Sequence, residues 1–355
     1  MATEPTKRLP DLAQDRPIDR AIDDRLDRIP FVDSLVRALV RDEKDLRGRL
    51  VARRSTGIVV GLVGEWGSGK SSILNMLEER LKGTERVAVA SLNPWLFRGR
   101  DELIAAFFNE LRDALRRSPR EKVRAAATAL DNYRGAISAV AGHLGSAADA
   151  MGASGAGAVT AATVKQGLKL AKTPRELTPQ EERRALEKKL KDAKVAVVVL
   201  IDELDRVEDD EVRAVAQLIK AIGDIKGISY LVAYDQARVA DALGRGDRAK
   251  GDAYLEKIIQ HPVPVRPLFA HDVAALLDAL LVHHGVELPS DLSDEEFQVV
   301  EYIRHTAETP RDLKRLVGSY AVLDLMLRKE VSAADLLGYC WLLIKAPTLR
   351  NAIAK

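Results

Sequence analysis

The feature that most constrains the fold is a glycine-rich segment, GEWGSGKSS, at residues 64–72. An apolar run at residues 57–63 precedes it, and an amphipathic segment at residues 72–82 follows it. A strand, a glycine-rich turn and a helix in this order give the pattern G-x-x-x-x-G-K-[ST] its phosphate-binding mechanism. The glycines let backbone N–H groups close around phosphate oxygens, and the helix N-terminus adds its positive dipole end. The segment therefore predicts a nucleotide-binding loop.

Different side chains of this loop are expected to bind the phosphates and the metal. Lys70 can reach the β- and γ-phosphates, and the hydroxyl of Ser71 can bind Mg²⁺. The residues predicted to surround the nucleotide are Gly64, Glu65, Trp66, Gly67, Ser68, Gly69, Lys70, Ser71 and Ser72.

A second decisive segment is the β-branched run at residues 195–201, which ends in two acids, Asp202 and Glu203. Such a run is typical of a central parallel strand buried on both faces. Adjacent carboxylates at its end are costly unless something compensates them, and a Mg²⁺–nucleotide would do so. We expect Asp202 to bind the metal and Glu203 to act as general base. For Asp205 and Arg206 we expect a local ion pair or a subunit contact, and Arg206 is also a candidate transition-state cation.

Polar residues follow two further predicted strands, and a third candidate lies far along the chain. Asn93 follows the strand at residues 86–92, and Asp235 follows the strand at residues 228–233. Ligands of parallel sheets gather at the carboxyl ends of strands. Asn93 is thus a candidate for orienting water or phosphate, and Asp235 for sensing the γ-phosphate, with a helix cap as its alternative. Arg311, at the start of a helix, can reach the β- and γ-phosphates. Its alternative is a surface ion pair.

The pattern along the chain predicts five regions. They are a loosely held polar N-terminal arm (1–27), the first part of the core (28–118), a helical insertion (119–193), the second part of the core (194–268) and a helical lid (269–355). Residues 29–50 are predicted to form one helix, and residues 254–259 a short helix before the last strand at residues 261–265. The segment Arg28–Phe31 is a candidate for packing on the nucleotide base, with packing inside the protein as its alternative.

The insertion contains an unusual stretch of Ala, Gly, Ser and Thr at residues 135–171. It predicts a helical hairpin softened by glycines or a mobile insertion. Small residues also allow close helix packing in membranes, which is the alternative. His143, Asp149 and Lys165 interrupt the stretch, so membrane contact is disfavoured.

Composition narrows the class of protein. The 355 residues are 46% hydrophobic and carry 55 Lys+Arg against 53 Asp+Glu, so a net charge of +2 does not argue for nucleic acid. The single cysteine, Cys340, excludes an intramolecular disulfide, and its apolar neighbours predict a buried thiol. We find no signal peptide at the N-terminus and no metal-ligand spacing among the histidines, and we expect a cytoplasmic protein.

Taken together, these segments resemble the KAP family of P-loop NTPases, in the additional-strand division that includes AAA+ and STAND proteins. The resemblance is carried by GEWGSGKSS at 64–72, NPW at 93–95, VVVLIDELDR at 197–206, YDQ at 234–236, YLEKIIQ at 254–260 and TPRDLKRL at 309–316. It implies Mg²⁺-dependent NTP hydrolysis and a five-stranded core with a helical lid. Many relatives carry transmembrane helices in the insertion. Residues 135–171 depart from that pattern. The pair Asp202-Glu203 departs from the Asp-Asp common in the family.

We therefore expect an α/β fold: a P-loop NTPase with a mostly parallel five-stranded sheet in three αβα layers, a helical insertion and a helical lid. The expected function is that of a nucleotide-driven switch or assembly ATPase that uses ATP or GTP with Mg²⁺. The resemblance adds a role in bacterial anti-phage defence, with a homo-oligomer or separate effector proteins as partners. The alternatives are a DNA-stimulated motor, a nucleotide-gated scaffold that does not hydrolyse its nucleotide, and membrane association through residues 135–171.

Overall fold

The computed structural model describes residues 15–151, 178–286, 292–327 and 330–346. The strands in these ranges are β1 (Val40–Lys44), β2 (Leu50–Ser55), β3 (Val59–Val63), β4 (Val87–Leu92), β5 (Ala196–Ile201), β6 (Ile228–Tyr234) and β7 (His261–Pro264). The α-helices there are α1 (Ile29–Leu39), α2 (Lys70–Lys82), α3 (Arg100–Arg116), α4 (Glu121–Met151), α5 (Pro179–Ala193), α6 (Asp209–Ile222), α7 (Gln236–Gly244), α8 (Arg248–Leu255), α9 (Ala270–His283), α10 (Asp294–Thr306), α11 (Pro310–Leu327) and α12 (Ala333–Lys345).

The core is a five-stranded sheet in the order β4-β5-β6-β3-β7, with every neighbouring pair parallel. All residues of β5 and β6 are buried, because helices cover both faces of the sheet. This confirms the predicted α/β fold and the burial of the acidic strand β5 on both faces, although the middle strand of the sheet is β6. β6 lies between β5 and β3, so the strand that leads into the phosphate loop and the strand that ends in the acids are not neighbours.

Two hydrophobic cores flank the sheet, because successive residues of a strand point to opposite faces. Val197 and Val199 of β5 pack on one side with residues of α3 to α7. Val198 and Leu200 pack on the other side with α1 and α2. The three αβα layers predicted from the sequence are therefore confirmed.

Helices α9 to α12 have a core of their own, to which Leu26 from the N-terminal arm also contributes. Cys340 is buried in this core, and burial raises the pKa of its thiol to about 11. The helical lid expected after residue 269 is thus confirmed as a set of packed helices. The boundaries of the five predicted regions stay predictions.

The prediction of a single helix over residues 29–50 is wrong in its second half. α1 ends at Leu39, and the chain continues into an antiparallel hairpin of β1 and β2. Arg53 pairs with Asp42 and Arg54 with Glu43 across the hairpin. Such cross-strand pairs stabilise a hairpin much as i, i+4 pairs stabilise a helix, so the charge pattern alone does not distinguish the two.

Two further predictions need correction. The short helix expected at residues 254–259 lies earlier, as α8, because Asp247 caps its N-terminus by accepting a hydrogen bond from the Lys250 N–H. The described part of the N-terminal arm, residues 15–27, is also bound more firmly than expected. The Ile18 N–H donates to the Ser72 hydroxyl at 3.2 Å, and the Ala21 N–H donates to Glu79 at 2.8 Å.

The structure describes the first and the last part of the insertion. α4 extends to Met151, so the first part of the Ala/Gly-rich segment is helical, and residues 152–177 lie outside the described residues. α5 begins with a capping box, in which Thr178 and Glu181 exchange hydrogen bonds. Within the part of the chain that the structure describes, no helix combines the length and apolarity needed to cross a membrane.

Candidate nucleotide-binding site

The glycine-rich loop connects β3 to α2 as the sequence predicts. Gly67 and Gly69 have positive φ angles of 88° and 94°, a region that residues with a Cβ seldom adopt. A Cβ on Gly67 would also lie 2.9 Å from the Cβ of Arg311. α2 begins at Lys70, so its N-terminal N–H groups and dipole face the space above the loop. The backbone is therefore arranged to receive an anion.

Lys70 is a buried cation at the entrance of α2. Its ammonium donates to the carbonyls of Gly64 and Glu65 at 2.9 and 3.2 Å and pairs with Asp205 at 3.2 Å. The side chains of Lys70 and Asp205 are each only 8% exposed. The sequence predicted a local ion pair between Asp205 and Arg206. Asp205 pairs instead with Lys70, the lysine predicted to bind phosphate, and Arg206 pairs with Glu203.

Asp202 and Ser71, the two predicted metal ligands, are hydrogen-bonded to each other. Burial is the main cause that raises the pKa of the Asp202 carboxyl, and the nearby charges of Glu203 and Asp205 raise it further. The hydrogen bonds from Ser71 and from the Glu203 N–H oppose this increase. A bound divalent cation would offset the repulsion among these acids, because it favours their ionised forms.

Glu203 has both carboxylate oxygens engaged. Asn93 donates to one oxygen at 2.5 Å, and Arg206 pairs with the other at 2.5 Å. The backbone of Glu203 has a φ of 58°, which is uncommon for a residue with a side chain. Leu92 at the end of β4 pairs with Ile201 at the end of β5, and this register brings Asn93 to the acids. In this arrangement the carboxylate of Glu203 is held by donors.

Asp235 follows β6, as predicted, and caps α7 by accepting a hydrogen bond from the Arg238 N–H at 3.0 Å. It lines a groove behind the loop together with Gly64, Glu65 and Ser68. The structure therefore places it near the loop backbone, in the cap geometry considered as its alternative. Its role as a γ-phosphate sensor stays a prediction.

The lid reaches the loop through the N-terminus of α11. The guanidinium of Arg311 lies 4.0 Å from the ring centroid of Trp66, a geometry typical of cation–π contacts. Its Nε donates to Asp15 at 2.6 Å. Arg311 is therefore beside the loop, as predicted, and it also forms the ion pair considered as its alternative, although with the N-terminal arm.

These groups surround one cavity, which we call the phosphate cleft. It has about 560 Å³ of space, part of it open to solvent. Its lining consists of Asp15, Arg16, Pro17, Trp66, Gly67, Gly69, Lys70, Ser71, Ser72, Asp202, Glu203, Asp205, Arg206, Pro310, Arg311 and Lys314. The structure thus brings together six of the predicted loop residues after Glu65, Asp202 as the second predicted metal ligand, the predicted base and the lid arginine, whereas Asn93 and Asp235 are not in the lining.

An apolar cavity, the lid pocket, adjoins the phosphate cleft and shares Gly69, Ser72, Pro310 and Lys314 with it. Its space is about 1120 Å³, again partly open to solvent. Among the apolar side chains that line it are those of Ile18, Leu26, Met76, Leu276 and Leu280. A flat apolar ligand group attached to a phosphate chain would therefore find a suitable surface next to the cleft.

Arg28 lies beneath the loop, between the lid pocket and the groove behind the loop. It is 7% exposed and donates to the Ser68 carbonyl at 2.9 Å. Burial lowers the pKa of its guanidinium, and Asp24 opposes that shift. Arg28 thus supports the loop, and because it also lines the lid pocket, the contact with the base that the sequence suggested stays a prediction.

Sequence reasoning missed the site roles of Asp15, Arg28 and Lys314. Lys314 lies three residues after Arg311 on the same helix face, so its position was available from the helical period. Asp15 gives no such signal, because it is one acid among many in a polar arm.

The donor set suits Mg²⁺ bound together with a phosphate chain. Among the described residues, no group of three or more His, Cys, Asp or Glu side chains is arranged to hold a metal ion alone. Mg²⁺ commonly takes one or two protein ligands and completes its octahedron with phosphate and water oxygens. Ser71 and Asp202 fit that pattern.

Known sequences match most of the chain. A model of the KAP family P-loop domain matches residues 28–327. The phage T7 exclusion protein of Escherichia coli strain K12 is 23% identical over 308 residues, covering 78% of this chain and 40% of that protein. The chain therefore spans about two fifths of this curated relative's length.

Similar solved structures include an ORC2 protein and a Cdc6p protein. The ORC2 protein of Aeropyrum pernix, in ADPNP–ADP complexes, is 10% identical, with 97% of this chain and 73% of that chain covered and a TM-score of 0.43. Cdc6p of Pyrobaculum aerophilum is 13% identical, with coverages of 86% and 63% and a TM-score of 0.41.

Proposed function

The chain belongs to the KAP family of P-loop domains, and on that basis we propose that it is a Mg²⁺-dependent nucleoside triphosphatase that acts as a nucleotide-driven switch. ATP is the proposed substrate, with GTP as the alternative. The observation that carries the proposal is the phosphate cleft, in which Lys70, the Ser71–Asp202 pair and Glu203 converge from separate segments of the chain.

In this proposal the loop N–H groups and the dipole of α2 bind the phosphate chain. Lys70 exchanges its contact with Asp205 for phosphate oxygens, which carry more negative charge than one carboxylate. Ser71 and Asp202 would hold Mg²⁺, which supplies charge neutralisation at the phosphates when bound. The nucleotide base would lie in the lid pocket, against its apolar side chains.

Glu203 is proposed as the general base that polarises the attacking water. The contacts with Asn93 and Arg206 lower the basicity of its carboxylate, so release from either one would favour proton transfer from water. We therefore propose a resting arrangement in which the base is held, and a change at the cleft frees it.

The same observation favours a second candidate function, a nucleotide-gated scaffold that binds ATP without hydrolysing it. If Glu203 stays bound to Asn93 and Arg206 after nucleotide binding, its carboxylate remains a weak base for water and hydrolysis stays slow. Hydrolysis separates the two candidates.

The test measures phosphate release and nucleotide binding for wild type, Glu203→Gln and Lys70→Ala. We expect wild-type protein to release phosphate, and Glu203→Gln to lose it by about 10²- to 10⁴-fold while it still binds nucleotide. Lys70→Ala should lose binding. Nucleotide binding without phosphate release in wild type would support the scaffold, and no binding at all would refute both candidates.

The biological setting we propose is anti-phage defence, with a homo-oligomer or separate effector proteins as partners. Its support is the similarity to a phage T7 exclusion protein. Phage plating on cells with the wild-type chain and its genomic neighbours, compared with Lys70→Ala, tests this role. Native mass with and without a non-hydrolysable ATP analogue tests nucleotide-driven assembly, and equal masses would count against it.

A further inference from the structure

Residues 15–24, which we call the strap, cross the nucleotide site along α2. The Ile18 N–H donates to Ser72 at the start of that helix, and Asn75 donates to the Ile18 carbonyl at 3.0 Å. Farther along, the Ala21 N–H donates to Glu79. The strap is thus fixed to the helix that begins at the phosphate loop, and its first residues lie at the mouth of the phosphate cleft.

The first residues of the strap contact the lid. Asp15 pairs with Arg311 at 2.6 Å, and the Arg16 carbonyl accepts a hydrogen bond from the Lys314 ammonium at 2.6 Å. Arg311 and Lys314 lie three residues apart and so on one face of α11. The strap therefore engages two lid cations that border the phosphate cleft.

Asp15 is an acid at a place where a phosphate would be expected. The Arg311 side chain is 15% exposed and that of Asp15 is 37% exposed, so their pair is partly shielded from water. A carboxylate on this guanidinium satisfies the donors that a terminal phosphate would use. It also repels an incoming phosphate, since both are negative.

We propose that Asp15 is an internal competitor for the terminal phosphate: it holds Arg311 while the cleft is empty and is displaced when a triphosphate binds. The inference rests on the proposed function and adds a means of regulation at the same site. A diphosphate lacks the group that would take over Arg311, so it leaves the strap contact in place. Loss of the Asp15 contact would then signal the triphosphate state at the surface of the protein.

The test is calorimetric titration of the full chain with Mg²⁺ and either a non-hydrolysable ATP analogue or ADP. Asp15→Asn should bind the analogue about 3- to 10-fold more tightly than wild type, because Arg311 is no longer occupied. Its affinity for ADP should stay unchanged. Asp19→Asn is the matched control, since it removes an acid from the same strap away from the cleft lining, and both affinities should match wild type.

A second arm uses Arg311→Ala as the background. In that background Asp15→Asn should have no effect on analogue binding, because the two residues act as a pair. Weaker or unchanged analogue binding by Asp15→Asn would overturn the inference, and so would an equal gain for ADP. If wild type binds neither nucleotide, the proposed function fails as well. If it binds both and Asp15→Asn leaves their ratio unchanged, only this inference fails.

Discussion

The two sides of the phosphate cleft are built in different ways. On the sheet side, Lys70 and Asp205 form an ion pair with each side chain only 8% exposed. On the lid side, Arg311 and Asp15 form a pair whose side chains are 15% and 37% exposed. Removing one partner of a buried pair leaves an uncompensated charge and is strongly destabilising, whereas a pair nearer the surface contributes little to stability. The sheet side is suited to hold a ligand, and the lid side to respond to it.

The difference also follows from what surrounds each side. Lys70 is bonded to two loop carbonyls, and the acids follow a strand that is buried along its whole length. Arg311 lies on the face of Trp66, which is itself 54% exposed. Substitutions on the sheet side should therefore affect both stability and binding, and those on the lid side binding alone.

The largest expected effect is on the sheet side, at Gly69. Gly69→Ala combines a φ of 94° with a Cβ placed 2.2 Å from a guanidinium nitrogen of Arg28. Arg28 would have to leave the Ser68 carbonyl, so we expect the free energy of unfolding to fall by about 2 to 3 kcal/mol and nucleotide binding to be lost.

Gly48→Ala is the control for this prediction. Its φ is also positive, at 75°, but a Cβ there meets no atom within 4 Å. We expect Gly48→Ala to lower the free energy of unfolding by about 1 kcal/mol, from backbone strain alone. Urea unfolding of both variants measures the difference, and equal losses would show that Arg28 does not constrain the loop.

A smaller effect is expected on the lid side. Arg311→Ala should weaken binding of a non-hydrolysable ATP analogue by about tenfold, because a charge-assisted contact to phosphate is lost. The unfolding free energy should change by less than about 0.5 kcal/mol, as is usual for pairs near the surface.

Lys345→Ala is the matched control in the lid, because Lys345 pairs with Glu308 and Asp312 and is absent from the lining of the cleft. It should leave analogue binding unchanged. A loss of stability in Arg311→Ala as large as in Gly69→Ala would remove the contrast between the two sides.

The smallest expected effect is a gain in stability, when Asp202 is replaced. Burial and two neighbouring acids raise the pKa of Asp202, so its ionised form is less stable in the folded protein than in the unfolded chain. Stability is then lost as pH rises from the ordinary pKa of Asp through the raised value. Asp202→Asn should therefore increase the unfolding free energy of the nucleotide-free protein by about 1 kcal/mol at neutral pH.

Asp272 provides the opposite case for the same measurement. Burial would raise the pKa of Asp272, but hydrogen bonds from Arg266 and the Phe269 N–H hold it below the ordinary value. Its stabilising contribution is present above the ordinary pKa of Asp and disappears as pH falls through the lowered value. Asp272→Asn should reduce stability at neutral pH. If Asp202→Asn and Asp272→Asn change the unfolding free energy in the same direction, ionised Asp202 does not destabilise the folded protein as we expect.

The sequence predicted the sheet side well, because its signals are local. A phosphate loop, a buried strand and the residue that follows it can each be read from a few consecutive positions. Parallel strands then bring their carboxyl ends to one edge, so Asn93 and Glu203 were expected near each other and form a hydrogen bond.

The lid side was harder to predict, because its contacts join distant residues without a periodic pattern. Asp15 and Arg311 are 296 positions apart, and nothing in the arm distinguishes Asp15 from its neighbouring acids. The hairpin of β1 and β2 was missed for a related reason. Its residues are mostly charged, so the hydrophobic period that separates strand from helix is absent there.

Because β6 lies between β3 and β5, it sets the width of the gap that a phosphate chain must fill. Two strand spacings separate the loop strand from the acidic strand, a distance of about 10 Å. That span is set by the ladder bonds of β6 and by side chains such as Val232, which is fully enclosed on its face of the sheet. A change in the interior of β6 would therefore alter how well a metal-bound triphosphate bridges the opening, although no atom of that residue touches the ligand.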